Sequence, residues 1–328
     1  MMLKQILGPI LSASLITASH LTQKSEICGT KAQRKAWHNL TTTEKHEYID
    51  AELCLMSSPP KSGLEGAKNR WDELHWVHVV QSNVIHGVGA FLPWHRYYVH
   101  LHEHLLRTEC NYTGYQPYWY EVDDADNITN SVVWDADTGF GGNGVGDDNC
   151  IADGPLANLT LNISPASNNT PYCLSRNFNV KTFYGANQTY LDQCFAMTNY
   201  SVAWDCWATQ PHGSAHAGVG GTMQDAILSP GDSIFFLHHA NLDRLWWEWQ
   251  SADLPSRLYD MAGENIPTED FLSVNNFTSP PASMTDYFGD DGNVTTLNHN
   301  LWMASLIPNV TVGEVMDLGG NVICAEYV

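Results

Sequence analysis

Residues 78–95 read HVVQSNVIHGVGAFLPWH. Three histidines, His78, His86 and His95, stand in this stretch with no cysteine or carboxylate between them. A second set follows far downstream: His212 and His216 in PHGSAH, then His239 in SIFFLHHANLDRLWWEWQ. Two trios of imidazole, each ending at an aromatic-rich helix, suggest two metal ions facing one another. All-imidazole ligation suits copper, zinc or iron. Without carboxylates in the trios, a carboxylate-bridged di-iron centre is a poor fit. HGSAH in place of HExxH removes the usual general base of a zinc peptidase.

Histidine spacing alone says little. Among 15 histidines an H-x-x-x-H pair arises by chance, and His100 and His104 supply one, with His102 between them. These three read as an exposed or packed polar face, because a metal needs converging partners. The same bland reading covers His38, His46, His75, His238 and His299. His212 and His216 project to one side of a helix, as do His239 and Asp243. Asp243 is thus a candidate for orienting an imidazole or its own helix. The plainer reading gives it an ion pair with Arg244 or Arg257.

Outward from the histidines the chain is mainly helical. Thr41 or Thr42 caps a helix with Tyr48, Ile49, Leu53 and Met56 at its apolar positions, and Pro59 and Pro60 end it. Residues 69–81 predict a second helix, with Trp71, Leu74, His75 and His78 on one face. A glycine-punctuated link over 83–91 leads to a third helix. Pro93 opens that helix, His95 lies in its first turn, and Tyr98, Leu101 and Leu105 point inward. Residues 123–171, rich in Gly, Asn and Asp, predict a long surface loop tied down by Cys150 and Cys173. Ile234–Ser251 predicts an amphipathic helix, and beyond Pro255 only short strands or loops are expected.

Acidic residues outnumber basic ones 36 to 15, a net charge of -21 that should repel nucleic acid and anionic membranes. Lys4 precedes an apolar run over 6–18, so residues 1–19 read as a secretory signal peptide and residues 20–328 as one catalytic domain. No later stretch is long and apolar enough to span a bilayer. N-x-S/T sequons stand at Asn39, Asn111, Asn127, Asn158, Asn162, Asn168, Asn187, Asn199, Asn276, Asn293 and Asn309. Eight cysteines without a C-x-x-C favour up to four disulfides, with 105 pairings open. Together these features read as a secreted glycoprotein.

With these residues in place, the chain resembles the type 3 dicopper oxidases: tyrosinases, catechol oxidases and, more distantly, hemocyanins. It looks most like the short secreted fungal catechol oxidases. The matching text is H-x(7)-H-x(8)-H ending in FLPWHR, Glu103 and Arg107 before Cys110, PYW at 117–119, NSVVWD…GFGG, PHGSAH and SIFFLHHANLDRLWWEWQ. The resemblance implies a mainly α fold, a four-helix bundle around a dinuclear copper site, with long loops and minor β. It implies two copper ions, one held by His78, His86 and His95, the other by His212, His216 and His239. It takes the second histidine of the HH pair, and it packs Phe235 against a ligand of the second copper. Gly213, Ala217 and Ala226 would line the pocket for a small phenolic substrate, with O2 as the oxidant. The implied activity is oxidation of o-diphenols or o-aminophenols.

The chain also departs from the family pattern. Val84 stands where many members carry a thioether cysteine. PYWYE replaces PYWDW, and Asp232-Ser233 replaces DP. Gly213 and, approximately, Ala203 occupy positions of an Asn and a Glu associated with monophenol hydroxylation. Ala226 is small where some members place a bulky residue, which predicts an open approach. A tyrosinase with monophenol activity is therefore the alternative reading. An oxygen carrier and a zinc hydrolase are more remote ones. Oligomeric state is not legible.

Overall fold

The computed structural model describes residues 28–164, 170–285 and 289–328. The expected export segment, residues 1–19, and the sequon Asn168 lie outside them. The architecture is mainly α, as read. Helix α1 spans Thr42–Ser57, α2 Arg70–Val79, α3 Ser82–Ile85 and α4 Phe91–Glu109. Then follow α5 Val180–Phe183, α6 Gln188–Phe195, α7 Tyr200–Trp207, α8 Gly213–Val219, α9 Ile234–Ser251 and α10 Glu269–Val274. Among the described residues, strand is confined to three two-stranded pairs, including the parallel pair Ala32–Arg34 with Ala325–Tyr327.

Local chemistry explains the helix starts. Thr41, not Thr42, caps α1: its hydroxyl accepts from Glu44 N at 3.2 Å, while Glu44 Oε2 accepts from Thr41 N at 2.8 Å. Asn69 caps α2 by accepting from Asp72 N at 2.8 Å. Trp71, Leu74, His75 and His78 are all buried, as the face they share requires. α4 starts two residues earlier than expected, at Phe91. Pro93 is thus its third residue, where the missing N–H costs nothing, and His95 falls at the start of the second turn.

Two expectations need correction. Residues 123–164 of the expected surface loop send many side chains into the core. Ile128, Val133, Phe140, Ile151, Leu156, Leu161 and Ile163 are all buried: Ile128 and Val133 by short 3-10 turns, Leu161 by a two-residue strand, the rest by irregular chain with neither the helical nor the strand period. The Arg176 guanidinium holds this segment by donating to the Phe140 and Gly141 carbonyls at 3.1 and 2.7 Å. Secondly, α9 has the predicted limits but is buried nearly all round, so it is the central helix rather than an amphipathic one. Its polar residues are buried because each finds a partner. His86, placed by the sequence in the glycine-punctuated link, is an extended residue after α3.

The eight cysteines pair as Cys28–Cys324, Cys54–Cys110, Cys150–Cys173 and Cys194–Cys206. The first closes the described chain on itself beside the Ala32–Arg34 strand. The last fastens α6 to α7. Trp37, Trp71, Trp119, Trp207, Trp246 and Trp249 fill the core. Among the described residues, no helix is long and apolar enough to cross a membrane.

Candidate metal centre

Each trio converges. The rings of His78, His86 and His95 lie 5.0, 5.8 and 5.3 Å apart, centre to centre. Those of His212, His216 and His239 lie 4.5, 5.1 and 5.5 Å apart. The trios also meet each other: His95 stacks on His239 with ring centres 4.3 Å apart. In each trio the candidate ligand nitrogens fall within 4.8 Å of one another, with His238 included in the second set.

The backbone sets the tautomers. Nδ1 of His78 donates to Ile227 O at 3.0 Å, of His86 to Ser82 O at 2.8 Å, and of His95 to Phe91 O at 2.8 Å. Nδ1 of His212 donates to Ala208 O at 2.9 Å and of His216 to Met223 O at 2.6 Å. A carbonyl only accepts, so in these five rings the proton is on Nδ1 and the lone pair on Nε2. Nε2 of His78, His95 and His212 is buried with no hydrogen-bond partner. Such orphaned acceptors are costly in a protein interior unless something ligates them. His239 differs: its Nε2 lies 3.4 Å from His216 Nε2, and its Nδ1 has no partner.

Burial keeps these rings neutral. It pushes His86 down to about 4 and His78, His95, His212, His216 and His239 well below the usual histidine range. Neighbouring imidazoles lower the last five further. Neutral imidazole is the form that binds a metal. The residues therefore fit two metal ions, one per trio, and the all-nitrogen donor set fits copper.

His75, three residues before His78, carries a separate consequence. It is fully buried, and burial lowers it to about 4. Above about pH 6.5 it is neutral in both folded and unfolded chains and has no effect. Below that the unfolded chain takes a proton which the folded chain refuses until about pH 4, so stability falls through this window. Denaturant titrations at pH 7 and pH 5 should show the wild type losing about 2 kcal/mol more than His75→Met. Equal losses would mean His75 is not held neutral.

Phe235 packs where expected, 4.1 Å from the His239 ring and 5.4 Å from that of His78. Asp243 touches no imidazole, and neither Arg244 nor Arg257 is its partner. It accepts from Arg96 Nε, from Arg34 Nη1 at 3.3 Å and from Tyr327 Oη at 2.6 Å. It therefore orients helix α9 against α4. The departure at Asp232-Ser233 is likewise absorbed: Arg176 grips both Asp232 oxygens at 2.7 and 2.8 Å, and the Ser233 hydroxyl donates to Glu52 at 2.5 Å. His102 is a packed polar residue, stacked on Phe236 at 3.8 Å and hydrogen-bonded to Gln116.

Sequence reasoning missed Glu121 and undervalued His238. Both are buried, and Glu121 Oε1 is hydrogen-bonded to His238 Nδ1 at 2.5 Å while Oε2 accepts from Asn241 at 3.0 Å. Burial raises Glu121 well above the carboxylate range and lowers His238 to about 3, so the contact is a neutral hydrogen bond rather than an ion pair. The signal was present: PYWYE puts a carboxylate where the family has an aromatic.

A cavity of about 540 Å³ opens over the trios, lined by His86, His212 and His216. Gly213, Ala217 and Ala226 line it too. Gly87 shapes its edge: φ is +67°, and a Cβ there would lie 2.7 Å from the Phe271 ring.

A helical scaffold presenting two facing imidazole trios to one cavity defines a dinuclear metalloprotein of the oxygen-handling kind. A profile of the common central domain of tyrosinase matches residues 68–252. The tyrosinase-like protein phomQ1 of Diaporthe leptostromiformis is 30% identical, over 93% of this chain and 80% of that protein. The N-acetyl-6-hydroxytryptophan oxidase ivoB of Emericella nidulans is 30% identical, over 90% of this chain and 91% of that protein. A solved polyphenol oxidase from Thermothelomyces thermophila superposes with a TM-score of 0.75 at 27% identity, covering 91% of this chain and 89% of that one. The chain belongs to the tyrosinase family of type 3 dicopper oxidases. The family fold implies a dinuclear copper centre.

Proposed function

We propose that the protein oxidises o-diphenols, or o-aminophenols, to quinones or quinone imines. Two diphenols each give up two electrons and two protons, and one dioxygen takes them and leaves as two waters. Copper supplies the electron transfer to dioxygen when bound. In this reading His78, His86 and His95 hold one ion, and His212, His216 and His239 the other. The observation that carries the reading is the meeting of both trios beneath one cavity, with small residues at Gly213, Ala217 and Ala226 leaving the approach clear. Phe91 packs against His95 and His212, each at 4.7 Å, and keeps the floor dry between the trios.

Monophenol hydroxylation is the alternative. Ala203, near the position of the family's Glu, is wholly buried and offers no carboxylate to the cavity. Four disulfides support an exported protein, and we extend the proposal to a secreted enzyme.

Oxygen uptake by copper-loaded protein tests the reading on a catechol, its monophenol and an o-aminophenol. Prompt uptake is expected with the first and third. Prompt uptake with the monophenol, unprimed by catechol, would install the tyrosinase alternative. Gly213→Asn is expected to raise monophenol turnover. A Cβ at Gly213 meets nothing closer than Ala208 O at 3.6 Å, so the side chain enters without displacing the helix. An unchanged monophenol rate would break the link to that position.

A further inference from the structure

The cavity's upper walls have no role in the oxidation chemistry itself. Along α7, Ser201, Trp204 and Asp205 line it, and Ala208 and Thr209 continue the wall in the π-helical turn that follows, at helical spacing. Glu264 and Phe271 line it from the segment carrying α10. The walls meet at the rim, where a Cβ on Gly263 would lie 3.0 Å from Trp204 Nε1. Asp205 follows Trp204 and Glu264 follows Gly263 in the chain, and both acidic residues are exposed and line the same cavity. Neither has a cationic partner among the described residues, and no lysine or arginine lines the cavity. Beneath them, His86 is only 8% exposed and commits Nδ1 to Ser82, and the buried Nε2 of His212 has no partner.

We propose that this rim recognises an ammonium group, and that the preferred substrates are phenols carrying a protonated aminoalkyl arm. The inference rests on the oxidase reading of the same cavity. With the phenol ring over the imidazoles, its arm points out towards Trp204 and Phe271. Aromatic faces attract a cation and the two unpaired carboxylates add to that attraction. A phenol with an anionic arm meets the same charges as repulsion. These carboxylates face solvent, so salt weakens the preference.

The experiment compares kcat/KM of the copper-loaded enzyme on catechols bearing 2-aminoethyl and 2-carboxyethyl arms. At low ionic strength the amine is expected to be favoured by about tenfold or more. The preference should shrink severalfold at roughly 0.5 M salt. Asp205→Asn with Glu264→Gln should bring the ratio close to unity. A ratio at or below unity in the wild type, or one that the double variant leaves unchanged, overturns the proposal. If neither catechol is oxidised by protein that carries its copper, the oxidase reading fails instead. Calorimetric titration with 2-phenylethylamine and 3-phenylpropionate then decides the rim by itself: tighter binding of the amine supports it, and equal or reversed affinity overturns it.

Discussion

His239→Ala is expected to leave about one copper per chain in place of two and to lower turnover roughly a thousandfold or more, since the reaction needs both metals. His238→Ala is expected to keep both ions with affinity weakened by about ten- to a hundredfold, the size of effect seen when a group supporting a ligand is lost. The distinction is sharp because the two residues are adjacent and both are buried beside His212 and His216. Geometry favours His239. Its Nε2 lies 3.4 Å from His216 Nε2, close to the roughly 3.3 Å that separates two nitrogens on one tetrahedral ion. Its ring also stacks on His95 and so stands between the trios, whereas His238 commits Nδ1 to Glu121. Copper content by atomic absorption reads the result independently of activity. His100→Ala is the control: His100 is partly buried and belongs to neither cluster, so it should change nothing. If His238→Ala loses an ion and His239→Ala does not, the second trio has been assigned to the wrong neighbour.

The histidines were readable because each stands in a distinctive string, and strings survive without coordinates. Helix α2 was readable because Trp71, Leu74, His75 and His78 keep one period over one face. Residues 123–164 were misread because short 3-10 turns and irregular chain bury residues with no long-range period, and their glycines and asparagines look like solvent. The reading of α9 failed differently: Asn241, Asp243, Arg244 and Gln250 look like a wet face, and only the partners supplied by distant segments make them buried. Glu121 went unrecognised for the same reason, since its partner His238 is 117 residues away. Disulfide pairing depends on which ends the fold brings together, and Cys28 with Cys324 spans 296 residues.

Asp243→Ala should be the most damaging substitution outside the histidines. Asp243 accepts from Arg96 and Arg34, whose side chains are 0% and 1% exposed. Removing the carboxylate leaves two guanidiniums buried with too little negative charge. Arg34 keeps Glu103 at 3.1 Å, and Arg96 keeps Gln250, two carbonyls and the face of Trp246 at 3.8 Å. Breaking a buried pair from one side costs about 3–5 kcal/mol. Against a total stability of about 5–15 kcal/mol this is a large share, and it should lower Tm by roughly 10 °C. The damage also reaches the metal centre by a short route. Arg96 follows His95 on α4, and Asp243 lies one turn beyond His239 on α9, so this contact fixes how the two trios face each other. Asp243→Ala is therefore expected to weaken copper retention even where the protein remains folded, and Asp243→Asn, which keeps the acceptor but loses the charge, should fall between. Thermal unfolding and copper content at 25 °C measure both effects. If Asp243→Ala melts with the wild type and holds its copper equally well, the clamp between α4 and α9 must lie elsewhere.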